Sequence, residues 1–318
     1  MIVVVGAGVV GLTCAVRLAE AGHAVRVVAR EPPPATNSAV AAAVWFPYLA
    51  APLGRVTAWA TRTHDALVAL AAGEPESGVV VRELVSYARG PVEEPAWSGA
   101  VGGFRRLGAG ELAPGYADGW MARVPVVESP RHLPWLVERL ERAGGSIQVE
   151  PRGVASLAAA GAGAELVVHC SGLGARELAG DASVVPVRGQ VVLVDNPGLE
   201  RVVLDEGDPA GPTYVIPRRD DCVLGGTAEP GATSLEPDAA TTESILARAA
   251  RLVPEIATAR VRTVRVGLRP ARPAVRLELE RPREGPPVIH CYGHGGSGFT
   301  LAWGCAEDVV SLAEAASA

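Results

Sequence analysis

Residues 2–11 read Ile2-Val3-Val4-Val5-Gly6-Ala7-Gly8-Val9-Val10-Gly11, and the stretch from Leu12 to Ala21 that follows reads as a helix stopped by Gly22. The β-branched run Ile2 to Val5 is typical of a buried parallel strand. Its three glycines stand at Gly-x-Gly-x-x-Gly spacing between a predicted strand and a predicted helix, the context that gives this motif weight. Gly6 permits a tight turn, Gly8 lets a pyrophosphate approach the backbone, and Gly11 lets the helix pack close to the strand. The helix start adds unpaired N–H groups and partial positive charge for the phosphates. A second strand, Ala24 to Ala29, ends at Arg30-Glu31, with Glu31 twenty residues beyond Gly11. A carboxylate there accepts from ribose hydroxyls and would repel the 2′-phosphate of NADP. The stretch therefore predicts the front of a doubly wound, Rossmann-type α/β domain that holds the ADP half of a dinucleotide. It does not by itself choose FAD over NAD.

Outward from this unit the alternation is interrupted. Thr57 to Ala72 reads as a helix, whereas Gly73 to Pro125 is rich in Gly, Pro and Trp and reads as irregular with short β-like runs. Helical spacing returns at Leu133, Leu136, Val137 and Leu140. Glu165 to His169 reads as a strand running into Cys170-Ser171-Gly172, a second strand-to-glycine junction. Val184 to Leu268 is mostly strand-like, with a hairpin of Tyr214–Pro217 and Cys222–Gly226 around a polar turn. Val288 to Tyr292 and a helix from about Phe299 to Ala315 close the chain. The expected division is discontinuous: 1–52, 127–180 and 270–318 in the dinucleotide-binding domain, and 53–126 and 181–269 in a mixed-sheet substrate domain.

Composition narrows the chemistry. The chain has 318 residues, enough for two domains, and a net charge of −6, which is no footprint for nucleic acid. It contains no lysine, so all 29 basic residues are arginine. That excludes Schiff-base chemistry and a Walker-type phosphate loop. The five cysteines are far apart with neither Cys-x-x-Cys nor zinc spacing, so no metal site is expected and buried free thiols are. No apolar run is long enough for a membrane span, and the expected location is cytoplasmic.

Two further features suggest a site. His290-Cys291-Tyr292-Gly293-His294-Gly295-Gly296-Ser297-Gly298-Phe299-Thr300 precedes the last helix. Glycines there let a planar ligand meet backbone N–H groups and the helix dipole, which favours negative charge such as a reduced flavin carries. Arg269 ends an apolar strand and Tyr214 lies in another. A guanidinium and a phenol converging on one point suit a carboxylate.

With these segments in order, the chain resembles the D-amino-acid oxidase family of FAD enzymes, which includes D-aspartate oxidase. The resemblance runs through Val3–Leu12, Val40–Tyr48, Gly103–Leu107, Arg188–Gln190, Tyr214–Arg218, Gly267–Pro273 and Tyr292–Gly296. It implies FAD as cofactor, with contacts from Gly6, Ala7, Gly8, Val9, Val10, Gly11, Arg30, Glu31, Ser38, Ala42, Ala43, Val44, Val154, Ser171, Gly295, Gly296, Ser297, Gly298, Phe299 and Thr300. It implies that Arg269 and Tyr214 hold a substrate carboxylate, that the carbonyl of Gly296 accepts from the amine, and that Val44 and Ile216 line the pocket. The implied reaction is hydride transfer from the substrate α-carbon to the flavin. The imino acid then hydrolyses to a 2-oxo acid and ammonia, and oxygen reoxidises the flavin to give hydrogen peroxide. No side-chain acid or base is required; positioning is the main contribution. The implied partners are a D-amino acid and oxygen, with room for a homodimer.

The chain departs from the family in places. The loop Asp205 to Pro212 is short and lacks an aromatic residue, and Ala228 follows Gly225-Gly226-Thr227, so the family's second tyrosine is missing from both places. Ala43 stands where glycine is usual, a change expected to matter little. Neutral or apolar D-amino acids are the expected substrates because Val44 and Ile216 are apolar. D-aspartate is the close rival if Arg218 or Arg219 turns inward, and glycine is another. An NAD-dependent dehydrogenase and a non-catalytic flavin-binding protein are the readings from other classes.

Overall fold

A computed structural model describes residues 1–48, 50–205 and 207–317 of the chain. Its secondary structure divides into two sheets. The first has six strands in the order Arg276–Glu280, Val288–Tyr292, Leu166–His169, Ile2–Val5, Val25–Ala29 and Ser146–Val149. All neighbours are parallel except the edge pair Arg276–Glu280 with Val288–Tyr292. Alternate side chains feed two apolar layers, as the pleat requires. Val4, Val27, Val168 and Ile289 join the large core, whereas Val3, Val5, Val167 and Val288 join a smaller one on the opposite face. That two-sided burial is why these strands are uninterrupted apolar runs.

The large core is closed by helices Val9–Glu20, Leu53–Gly73, Ser129–Arg142 and Gly298–Ser317. Gly304 brings two of them together, since a Cβ there would lie 2.7 Å from Trp59 Cα. Trp59 Nε1 and Arg62 Nη2 each donate to Asp308 at 2.7 Å across the same contact.

The second sheet has nine strands. Its path runs Glu229–Pro230, Val185–Asp195, Asp221–Gly225, Thr213–Pro217, Val202–Asp205, Val79–Ala88, Asp118–Val127 and Arg105–Arg106, with Val261–Ala271 also paired to Val185–Asp195. Helix Ala239–Leu252 covers one face through Ile245, Ala249 and Leu252. The expected hairpin forms, with Tyr214 opposite Gly225.

The region expected to be irregular, 73–125, is more ordered than its composition suggested. Val79–Ala88 and Asp118–Val127 form an unbroken antiparallel ladder. Arg82, Glu83 and Arg123 interrupt the local apolar pattern, and the ladder draws its stability from a partner thirty or more residues away. Helices also begin earlier than periodicity suggests. The helix expected from Thr57 starts at Leu53, and helix Ala239–Leu252 interrupts the strand-like stretch, capped at its start by Asp238 Oδ1, which accepts from Thr241 N at 2.7 Å. Among the described residues, no helix is long and apolar enough to cross a membrane.

Candidate active site

The carboxyl ends of the parallel strands open into one elongated cavity of about 500 Å³. This is where an open α/β sheet places its ligand. Val5, Ala29, Cys170 and Tyr292 line it from the first sheet, and Val191, Leu204, Tyr214, Ile216 and Arg269 from the second.

At the N-terminal glycines the backbone is shaped for close approach. Gly6 has φ 116°, and a Cβ on it would press on the Cys170 main chain. Gly11 does not line the cavity; a Cβ there would lie 2.9 Å from the Gly6 carbonyl carbon, so it lets helix meet turn. Val9 N donates to Ser38 Oγ at 3.0 Å, which ties the Asn37–Val40 turn to the helix start. Arg30, Glu31 and Arg152 stand where the Val25–Ala29 and Ser146–Val149 strands end, and all three line the cavity.

The other end is built by the C-terminal glycines and a strap, residues 46–48. Phe46 N donates to Thr300 Oγ1 at 3.2 Å, which donates back to Phe46 O at 3.0 Å. Ser297 Oγ accepts from Tyr48 N at 2.7 Å and donates to Tyr48 O at 2.6 Å. Ser297 is thus a clamp for the strap and does not line the cavity, although Gly295, Gly296, Gly298, Phe299 and Thr300 do. Ala7, Gly8, Val10, Ala42, Ala43, Val44, Val154 and Ser171 also line it.

Arg269 is held by its surroundings. Its Nη1 donates to Thr227 O at 2.9 Å, and the neighbouring Leu268 N donates to Asn37 Oδ1 at 2.7 Å. Gly189 leaves space for the guanidinium, and Gly225 and Gly226 leave space for the Tyr214 ring. Burial raises the Tyr214 pKa and the Arg269 charge opposes the shift, so the phenol stays protonated at neutral pH. A cavity wall carrying one guanidinium and one phenol can bind a carboxylate by charge-assisted hydrogen bonds.

Tyr48 has no role that local spacing assigns. It lines the same cavity, and a Cβ on Gly296 would lie 2.8 Å from its Cδ1 and 3.5 Å from Arg269 Cδ. A second tyrosine therefore does reach this end, from the strap rather than from the loop before Tyr214 or the position after Thr227. The Pro47-Tyr48 pair in the Val40–Tyr48 segment was the available signal.

Arg218 and Arg219 face away from the cavity. Arg218 is buried and makes a bidentate pair with Asp221 at 2.6 and 2.9 Å. Arg219 is exposed and lines a separate surface cleft with Arg82 and Glu128. The five cysteines are free and buried, as expected, and the Sγ atoms of Cys14, Cys170 and Cys291 lie within 4.8 Å of one another.

The family model described as FAD dependent oxidoreductase matches residues 1–312. The chain belongs to this family. The oxidoreductase is 56% identical over 315 residues to a D-amino-acid oxidase of Rubrobacter xylanophilus, covering 99% of this chain and 96% of that protein. It is 48% identical over 314 residues to a D-amino-acid oxidase of Streptomyces coelicolor, covering 98% and 96%. Among solved structures, glycine oxidase from Geobacillus kaustophilus superposes with TM-score 0.81 at 25% identity, covering 99% of this chain and 94% of that one. FAD is the cofactor of the family, which sets aside the nicotinamide reading. The residues present fit it: a left-handed Gly6, two helix N-termini and an acid at the second strand end border one continuous cavity.

Proposed function

We propose that this oxidoreductase oxidatively deaminates neutral and apolar D-amino acids. With oxygen and water, the substrate gives a 2-oxo acid, ammonia and hydrogen peroxide. The observation that carries this reading is the wall beside Arg269. Arg269 and Tyr214 meet there among Val44, Phe46, Leu204 and Ile216, and no second arginine among the described residues lines the cavity beside them. A carboxylate has its partners, and an apolar side chain has its surroundings. A second carboxylate would be desolvated without a cation, which is costly. The turning away of Arg218 and Arg219 supports neutral substrates over D-aspartate.

The bound flavin would supply the acceptor for the two electrons leaving the α-carbon and return them to oxygen. The chain's own residues orient the substrate. Arg269 and Tyr214 take the carboxylate, the Gly296 carbonyl accepts from the amine, and Val44 and Ile216 bound the side chain. The apolar wall excludes water from the reacting carbon, and no side chain is needed as acid or base. The contacts to FAD are assigned as in the sequence reading, except that Gly11 and Ser297 act through the turn and the strap. The FAD-binding unit is taken as 1–52, 127–180 and 270–318, with 53–126 and 181–269 forming the substrate unit, and the protein as cytoplasmic.

Peroxide release from D-valine, D-aspartate and glycine tests the reading on the holoprotein. D-valine should be the best of the three, and activity on D-aspartate alone would overturn it. Arg269→Ala should raise KM by about 100-fold or more, the loss of a charge-assisted pair of hydrogen bonds, with the flavin still bound. Unchanged kinetics would remove Arg269 from the substrate site.

A further inference from the structure

A line of buried polar groups runs from the surface to the cofactor cavity and has no part in the reaction above. Glu280, half exposed, lies 3.0 Å from His290 Nε2. His290 Nδ1 lies 3.2 Å from His169 Nδ1, and His169 Nε2 lies 2.7 Å from Ser171 Oγ. Both histidines are buried, and Ser171 lines the cavity.

The hydrogen-bond roles along this line are determined by its outer end. Arg276 Nη2 donates to Glu280 Oε2 at 2.8 Å, and His290 and Arg276 together hold the Glu280 carboxyl below its ordinary pKa. Glu280 is therefore ionised and can only accept. His290 must donate from Nε2, which leaves its Nδ1 as an acceptor if the ring is neutral. Burial and the Arg276 charge keep it so by lowering its pKa. His169 must then donate from Nδ1, which leaves its Nε2 as an acceptor. Burial pushes the His169 pKa down to about 3, so this ring too is neutral. The Ser171 hydroxyl must donate to His169. Only its oxygen lone pairs remain for the cavity.

We propose that Glu280, His290 and His169 are positioning residues that make Ser171 a hydrogen-bond acceptor toward a sugar hydroxyl of the bound dinucleotide. This rests on the FAD assignment. An acceptor oxygen would repel the phosphates, and Ser171 sits against the Gly6 turn, its Cα 3.2 Å from where a Cβ on Gly6 would stand, so the donor assigned to it is a hydroxyl of a sugar flanking the pyrophosphate. Each link has the geometry of a real hydrogen bond, and each role follows from the one before it.

The test reverses the line from its surface end. In Glu280→Lys the ammonium donates to His290 Nε2, every link flips, and the Ser171 O–H points into the cavity. Glu280→Gln keeps an accepting carbonyl and serves as control. FAD release from the holoprotein is followed by recovery of flavin fluorescence. Ser171→Ala should speed release by about five- to tenfold, the scale of one hydrogen bond, and Glu280→Lys, in which the flipped hydroxyl keeps one lone pair for the cavity, by about two- to threefold. The double variant should be no faster than Ser171→Ala alone, and Glu280→Gln should release FAD at the parental rate. Multiplying effects in the double variant, or an unaffected Glu280→Lys, would overturn the proposal. Ring ¹⁵N spectra of the parent holoprotein provide a check that needs no variant. They should show His290 protonated at Nε2 and His169 at Nδ1, and the opposite tautomers would refute the relay. A protein that holds no FAD would fail earlier, at its visible spectrum, which separates that failure from this one.

Discussion

Replacing Gly189 by alanine should disable the oxidoreductase while leaving it folded and loaded. Gly189 lies within the Val185–Asp195 strand, where alanine is at no backbone disadvantage. Its added Cβ, however, would stand 2.5 Å from Arg269 Nη2 and 2.6 Å from Cζ. Comfortable contact between heavy atoms begins at about 3.5 Å, so the guanidinium must retreat by roughly 1 Å. The atoms that move are the free end of a flexible side chain, which is why the cost in stability is small. The cost in geometry is not small. A displacement of about 1 Å at a positioning group is worth on the order of 100-fold, about 2.7 kcal/mol of transition-state stabilisation. The assay is kcat/KM for D-valine by peroxide release, with flavin content from absorbance and Tm from thermal unfolding. The expected result is a fall of about 100-fold with native flavin content and a Tm within about 2 °C of the parent. A variant within about threefold of parental kcat/KM would show that Arg269 is not the carboxylate anchor or is not held against this strand.

Other outcomes follow from the same geometry. Gly11→Ala would press a Cβ onto the Gly6 carbonyl, where only backbone can give way, so it should yield protein that does not retain FAD on gel filtration; a yellow, stable variant would contradict the packing. Ala43 has φ 57°, the only non-glycine residue with positive φ among those described, and Ala43→Gly should stabilise the fold by about 1 kcal/mol in urea unfolding. The substitution expected from sequence to matter little thus carries strain, and an unchanged midpoint would deny it. Acid should destabilise the protein before carboxylates titrate. Burial lowers the His132 pKa to about 4, against about 6.5 when unfolded. The unfolded chain therefore binds more protons between these values. The stability is full above about pH 6.5 and is lost as pH falls toward 4, on the order of 2 kcal/mol by pH 5 from His132. Tm at pH 5 should lie on the order of 5 °C below that at pH 7.5, and His132→Gln should shrink the gap.

Much of the nucleotide end was legible in one dimension. The Ile2–Val5 run, the spacing of Gly6, Gly8 and Gly11, and the acid at Glu31 are all separated by short, regular stretches of chain, so local rules reach them. The hairpin that carries Tyr214 and the strand that carries Arg269 were legible for the same reason. Residues 79–127 were not, because their order comes from a ladder between distant segments whose charged side chains hide the alternation. The family resemblance implies a cofactor contact for Ser297. Its hydroxyl in fact clamps Tyr48, some 249 residues away in sequence, a pairing no spacing rule describes.

The sequence alone determined the family, the cofactor's adenine half, and the identity of the guanidinium and phenol that line one cavity wall. These depend on residue type and local spacing. Tertiary structure decided that Arg218 is spent on Asp221 and that Arg219 faces another cleft. It also decided that Tyr48 reaches the Arg269 end of the cavity and that the Ser171 hydroxyl meets His169, which in turn meets His290. Each of these turns on the direction of a side chain and on the occupant of its last hydrogen bond. Both are set by strands and loops far apart in the chain, and only packing brings them within three ångströms.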